Sequence, residues 1–122
     1  MASGSCSTVK MPFAEAEPGA TGMELLLPLT LAWASRHKVP LATALARITC
    51  DPARILGLDC GRLATGAPAD ICVFDPAAKF TVSRERLKSQ GKNTPFLGRE
   101  LAGEVRYTLI DGHLAYSADK LL

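Results

Sequence analysis

Histidine is scarce in this chain of 122 residues, and the two present, His37 and His113, stand far apart. No H-x-H or H-E-x-x-H pattern occurs, so the sequence offers no converging imidazoles of the kind a hydrolytic metal needs. Each histidine reads as a solvated or lightly packed side chain. Cysteine does not fill the gap. Cys6, Cys50, Cys60 and Cys72 form no C-x-x-C pair, and none has a histidine at zinc-ligand spacing. They are expected to be buried free thiols of a reducing cytoplasm rather than a disulfide framework. A G-x-S-x-G nucleophile turn is missing too.

Long apolar runs are also lacking. The longest, Met23 to Ala34, is interrupted by Glu24, Pro28 and Thr30. It falls short of the ~20 residues a bilayer-spanning helix needs, so no membrane partner is expected. No basic region followed by an apolar stretch opens the chain, and a secretory leader is not expected. Charge of one sign is not in excess: 14 basic and 12 acidic residues are interspersed, for a net charge of +2. That excludes the clustered basic face a nucleic acid would require.

What is present is a chain with 48% apolar residues, enough for one small core. Residues 1–11 are small and polar and read as a disordered or weakly ordered lead-in. Residues 12–58 read as helical. Thr21 and Glu24 have the spacing of a capping box ahead of an almost wholly apolar helix. A helix apolar nearly all round wants burial on several sides. Pro28 inside it predicts a kink or a broken first turn. A second helix is expected after Val39-Pro40. A third is expected to start with Asp51 as N-cap and Pro52 at the first helical position, and to stop at Gly57.

Residues 59–122 change character. Ile71–Phe74 and Lys79–Val82 read as two strands, and Arg84–Ser89 as a short polar helix. Glu104–Ile110, the turn Asp111-Gly112 and His113–Tyr116 carry the strongest short-range hairpin signal in the chain. Helices first and strands later define an α+β order. Gly61, Gly66, Gly98 and Gly103 are assigned to turns, and Asp70 to a hydrogen bond with a neighbouring loop.

No catalytic constellation stands out. Gly19-Ala20-Thr21-Gly22 lacks the following Lys-Ser/Thr and the preceding strand of a phosphate loop. Glu15, Glu17 and Glu24 lie close in sequence, but surface and capping roles account for them. A tuned acid–base pair needs a desolvated pocket, which three short helices and four strands hardly enclose.

Three stretches nevertheless resemble the C-terminal part of the dihydroorotase family, within the larger amidohydrolase superfamily. Pro12-Phe13-Ala14-Glu15-Ala16-Glu17-Pro18-Gly19-Ala20-Thr21-Gly22-Met23-Glu24 resembles the loop and helix start after the last barrel strand. Gly61-Arg62-Leu63-Ala64-Thr65-Gly66-Ala67-Pro68-Ala69-Asp70-Ile71 is similar to an element shared by many amidohydrolases. Asn93-Thr94-Pro95-Phe96-Leu97-Gly98 resembles the N-T-P-F-x-G stretch near the end of dihydroorotases and related cyclic amidohydrolases.

The resemblance implies an α+β fragment: terminal helices of a TIM-type amidohydrolase barrel followed by part of a small β-sandwich. It implies zinc-dependent opening and closing of dihydroorotate in pyrimidine synthesis by the whole enzyme. None of the family's metal ligands is matched here, and neither is its catalytic aspartate segment, so no catalytic or metal-binding residue is assigned. What carries over is a loop whose main chain would touch the substrate ring, at Ala16, Glu17, Pro18 and Gly19.

Three readings follow from the resemblance. The chain belongs to a catalytic dihydroorotase and is inactive alone. Or it belongs to the non-catalytic dihydroorotase-like subunit that some bacteria assemble with aspartate transcarbamoylase. Or it is an independent binding module. In the family fold the strands near Ile71 and Val105 would pair with strands from the N-terminal end of the whole protein. The chain alone is therefore expected to be marginally stable or to self-associate.

Overall fold

The computed structural model describes residues 12–16 and 18–119; the expectation for residues 1–11 lies outside them. Three helices, α1 (Leu26–Arg36), α2 (Leu41–Ala46) and α3 (Cys50–Leu56), precede three strands, β1 (Ile71–Thr81), β2 (Glu100–Ile110) and β3 (His113–Ser117). The α+β order is as the sequence implies. Short 3-10 turns at Phe13–Glu15 and Met23–Leu25 lead up to α1.

The broken first turn expected from Pro28 is present. The 3-10 turn passes into α1 at Leu26, which puts Pro28 in the first helical turn. There its missing N–H would have had no intrahelical acceptor. The capping box does not form. Gly22, not Thr21, precedes the 3-10 turn, no side chain caps it, and Glu24 reaches to a different segment. Helix α3 starts at Cys50 rather than after an Asp51 cap. Asp51 lies inside the first turn because Arg47 and Arg54, a turn away on either side, hold its carboxylate at 2.8 and 3.2 Å. Gly57 ends α3 in a left-handed conformation, as expected.

The sheet is antiparallel, in the order β1-β2-β3. Two expected strands are one. Ile71–Phe74 and Lys79–Thr81 are joined across a register shift between Asp75 and Lys79. There Asp75 Oδ1 accepts the N–H groups of Ala77 (2.9 Å) and Ala78 (3.3 Å). A side-chain acceptor lets the backbone jog around Pro76 without ending the ladder. The helix expected at Arg84–Ser89 is a single turn: Ser83 accepts from Arg86 through Oγ and from Leu87 through its carbonyl. The hairpin is as expected, with φ of 49° at Asp111 and 77° at Gly112, the signs of a type I′ turn. Asp70 Oδ1 accepts the Asp111 N–H at 2.8 Å, and the Ala69 carbonyl accepts the Gly112 N–H at 3.0 Å. The Ala-Asp-Ile element thus clamps the hairpin turn.

The strands at Ile71 and Val105 are each other's partners. Ile71 faces Leu109, and Phe74 faces Val105. Among the described residues the outer edges of β1 and β3 carry no ladder.

The core is Leu25, Val82 and Leu101, with Leu29, Phe80, Phe96 and Leu97 packed around it. Helix α1 lies directly on β2 at Gly103. That residue sits within the strand at φ 108°, and a Cβ there would meet Leu31 Cδ1 at 2.5 Å. Its assignment to a turn is corrected: it is the point of closest helix–sheet approach. Much apolar surface stays uncovered. Met23 is 92% exposed, Ile55 79%, Leu56 70% and Leu63 79%. The expectation of buried thiols also fails, since Cys50 and Cys72 are exposed and Cys60 is half-buried; all three are free. No helix among the described residues is long and apolar enough to cross a membrane.

Candidate functional site

The loop from Pro12 to Gly22 holds the residues singled out from the sequence. It opens with the 3-10 turn, where Glu15 N–H donates to the Pro12 carbonyl at 2.8 Å and Ala16 N–H to the Phe13 carbonyl at 3.2 Å. Ala16 then turns extended, at φ −70° and ψ 135°. Glu17 lies outside the described residues. Pro18 and Gly19 are exposed. Gly19 has φ 92° with no atom within 4 Å of where a Cβ would stand. Its glycine identity answers to backbone conformation, not to crowding.

One residue ties this loop to the body of the fold. Asn93 Nδ2 donates to the Gly19 carbonyl at 2.7 Å, and the Asn93 carbonyl accepts the Thr21 N–H at 2.7 Å. Two of the three quoted motifs, the Pro-Gly loop and the N-T-P-F stretch, therefore meet in space. Thr94 beside it is buried, and its hydroxyl oxygen accepts the Phe96 N–H at 3.2 Å.

Glu24 makes a second tie. Its carboxylate accepts the N–H groups of Lys88 (3.0 Å) and Ser89 (2.6 Å). Partial desolvation raises the pKa of Glu24. The two amide donors, helped by the charge of Lys92, outweigh that, and the carboxyl is held below the ordinary glutamate value. Lys92 in turn donates from Nζ to the Leu87 carbonyl. A depressed carboxyl pKa means a stabilising contribution that is full above the unfolded value and is lost as pH falls through the folded one. Glu24→Gln is expected to lower stability by about 1 kcal/mol at neutral pH. It should also flatten the loss of stability between neutral and acid pH. Urea denaturation of both proteins over that range checks it; parallel pH curves would remove Glu24 from the account.

A groove of about 700 Å³ opens beside this tie, walled by Glu24, Phe80, Arg86, Glu104 and Tyr116 among others. Three of its charged groups are engaged: Arg86 lies 4.4 Å over the Phe80 ring and donates to Glu104 at 2.6 Å, and Glu24 accepts the Lys88 and Ser89 amides. Ala16, Pro18 and Gly19 are not part of its wall.

His37, at the end of α1, and His113, at the start of β3, are both exposed, and the His37 ring centroid lies 6.0 Å from that of Trp33. Among the described residues no three His, Cys, Asp or Glu side chains come together as a metal site would require. These donors do not fit zinc. Sequence reasoning quoted Asn93 within its motif but gave it no role, and it assigned Glu24 to a cap. The available signal was the asparagine before Thr-Pro, a side chain that can donate to a carbonyl exposed by a glycine turn.

This arrangement, short helices leading into an antiparallel sheet with a tethered loop in front, has the fold of a segment of the hydantoinases. D-hydantoinase (dihydropyrimidinase) from Thermus sp. is similar with a TM-score of 0.79 and 22% identity, over 90% of this chain and 25% of that one. L-hydantoinase (dihydropyrimidinase) from Arthrobacter aurescens gives 0.77 and 25% identity, over 88% and 24%. The Amidohydrolase family model matches residues 21–116, and the chain belongs to that family. A dihydroorotase-like protein of Pseudomonas aeruginosa is 49% identical over 105 residues, 86% of this chain and 25% of that protein. A dihydroorotase of Geotalea daltonii is 43% identical over 101 residues, 83% of this chain and 24% of its own. The chain thus spans about a quarter of the length of the curated relatives it matches.

Proposed function

We propose that this chain is the C-terminal part of a dihydroorotase-type cyclic amide hydrolase, acting in the cytoplasm on carbamoyl-aspartate and dihydroorotate. In this reading residues 12–58 supply the last loop and helices of the barrel, and residues 59–122 the C-terminal part of the composite β-sandwich. The observation that carries it is the junction at Asn93, where the two stretches most like dihydroorotases bind one another.

The main chain of Ala16, Glu17, Pro18 and Gly19 contacts the substrate ring. In the whole enzyme a zinc ion, held by residues other than those described here, would supply the activation of water that amide hydrolysis needs. The side chains described here provide neither that ion's ligands nor a buried acid–base pair, so the chain alone positions substrate without turning it over. Purified chain is expected to contain no stoichiometric zinc and to show no hydrolysis of dihydroorotate. Stoichiometric zinc together with turnover would overturn the reading. The same preparation should elute on size exclusion at a volume that shifts with concentration, because its open strand edges and exposed apolar side chains favour self-association. A monodisperse monomer with a sharp, high melting temperature would count against that.

A second reading has support in the two Pseudomonas relatives. At 49% and 44% identity these are named dihydroorotase-like proteins. On that reading the chain belongs to a non-catalytic subunit that associates with aspartate transcarbamoylase. The DNA immediately upstream separates the two: an in-frame D-H-A-P with H-x-H before it favours the catalytic parent, and a degenerate version favours the scaffold.

A further inference from the structure

We infer that Asn93 is the residue that sets the conformation of the loop at Pro18, Gly19, Ala20 and Thr21. The inference deepens the proposed reading and takes its functional meaning from it. Asn93 grips the loop on both sides of Ala20, through its side-chain amide at Gly19 and its main-chain carbonyl at Thr21, both at 2.7 Å. Among residues 12–16 and 18–21 these are the hydrogen bonds that reach beyond the loop; those from Glu15 and Ala16 stay within the 3-10 turn. A loop containing Gly19 at φ 92° and a second glycine at position 22 has many conformers open to it. A contact from outside must select one.

Asn93 is well placed to do so because it is itself held. Thr94 is buried, and Phe96 and Leu97 pack against Leu25, Val82 and Leu101. Order therefore passes from the core, through N-T-P-F, to the exposed loop. The chemistry requires an amide. The Gly19 carbonyl can only accept, and of the small side chains of this shape only asparagine offers it a neutral N–H. An aspartate would face it with a carboxylate, and an alanine with nothing. Asn93 is a positioning residue: it leaves the reacting atoms untouched and fixes the main chain that meets the ring.

The test is NMR on the full 122-residue chain, comparing wild type with Asn93→Ala and Asn93→Asp. Both substitutions should move the Gly19 carbonyl-carbon signal and the amide signals of Gly19 to Thr21. Protection of the Thr21 N–H should fall about tenfold, while the β2 signals stay in place. As pH falls toward about 4, the introduced carboxyl of Asn93→Asp regains a proton to donate, and its Gly19 signal should return toward wild type. Asn93→Ala should show no such return; Glu24, Lys88 and Lys92, the charged groups nearby, are common to both variants. An unmoved Gly19 carbonyl, or collapse of the sheet signals in both variants, would overturn the inference. Adding dihydroorotate tests the reading beneath it. Shifts at Gly19 and Ala20 in wild type that are lost in both variants support the two together. A wild-type loop deaf to dihydroorotate, but displaced by the Asn93 substitutions, leaves the positioning role standing and sinks the substrate role.

Discussion

Gly103→Val is expected to lower stability by on the order of 4 kcal/mol, enough to unfold much of the chain. Two separate costs combine. At φ 108° the backbone lies in a region that a β-branched residue scarcely enters. In addition, a Cβ would stand 2.5 Å from Leu31 Cδ1 and 3.6 Å from Pro28 Cα. The leucine tip can swing away, and the Cβ itself meets Pro28 Cα at ordinary van der Waals distance; what is left without slack on the helix side is the added bulk of the two valine methyls. The two parts can be separated. Gly103→Ala keeps the backbone cost and most of the first contact but little of the bulk, and should cost about 2 kcal/mol. Adding Leu31→Ala to Gly103→Ala should relieve the contact and leave the backbone cost. Thermal unfolding followed by circular dichroism reads all three. A melting temperature for Gly103→Val within a few degrees of wild type would show that α1 does not lie on the sheet as described.

That contact marks a limit of what sequence reasoning reached. Elements governed by local chemistry were legible: the hairpin from Asp111-Gly112, the end of α3 at Gly57, and the broken first turn from Pro28. Elements decided by partners distant in sequence were not. Gly103 looks like turn punctuation until α1 is laid on β2. Asp75 and Pro76 look like a strand end until the Asp75 carboxylate is seen holding the Ala77 and Ala78 amides. Asp51 looks like a cap until the arginines on either side draw its carboxylate into the helix turn.

The candidate site divides as well. Ala16, Glu17, Pro18 and Gly19 are chosen from the resemblance of residues 12–24 to the dihydroorotase loop, not from local chemistry. The groups that hold that loop and the 3-10 turn after it could not be chosen so. Asn93 is 74 residues from Gly19, and Glu24 is 64 and 65 residues from the amides it accepts. Glu24 was open to misreading because a glutamate three positions after a threonine suits a capping box. Two unsatisfied amides at the 83–89 turn offer it a better partner than the Thr21 N–H, which Asn93 already occupies.

Leu25→Ala should cost about 3 kcal/mol, and its effect should reach beyond the core. Leu25 is 2% exposed and packs with Val82 and Leu101 in a cluster where the helical half, the sheet and the N-T-P-F stretch meet. Truncation removes a methine and two methyl carbons from a site whose walls belong to different parts of the chain, so collapse around the void is hindered. The same 3-10 turn carries Glu24, and Phe96 and Leu97 of the same cluster lie just past Asn93. Loosening Leu25 should therefore weaken the Glu24 tie to the Lys88 and Ser89 amides and the Asn93 tie on the loop, as well as the fold. Met23, two residues earlier in that turn, provides the contrast. At 92% exposed, Met23→Ala should change stability by no more than about 0.5 kcal/mol. Urea denaturation gives both values, and hydrogen exchange at the Lys88 and Ser89 amides reports the tie. If Met23→Ala were as damaging as Leu25→Ala, the turn would matter for some reason other than the side chain it buries. If Leu25→Ala destabilised the chain yet left the Lys88 and Ser89 amides protected relative to the rest, the loop ties would be independent of the core.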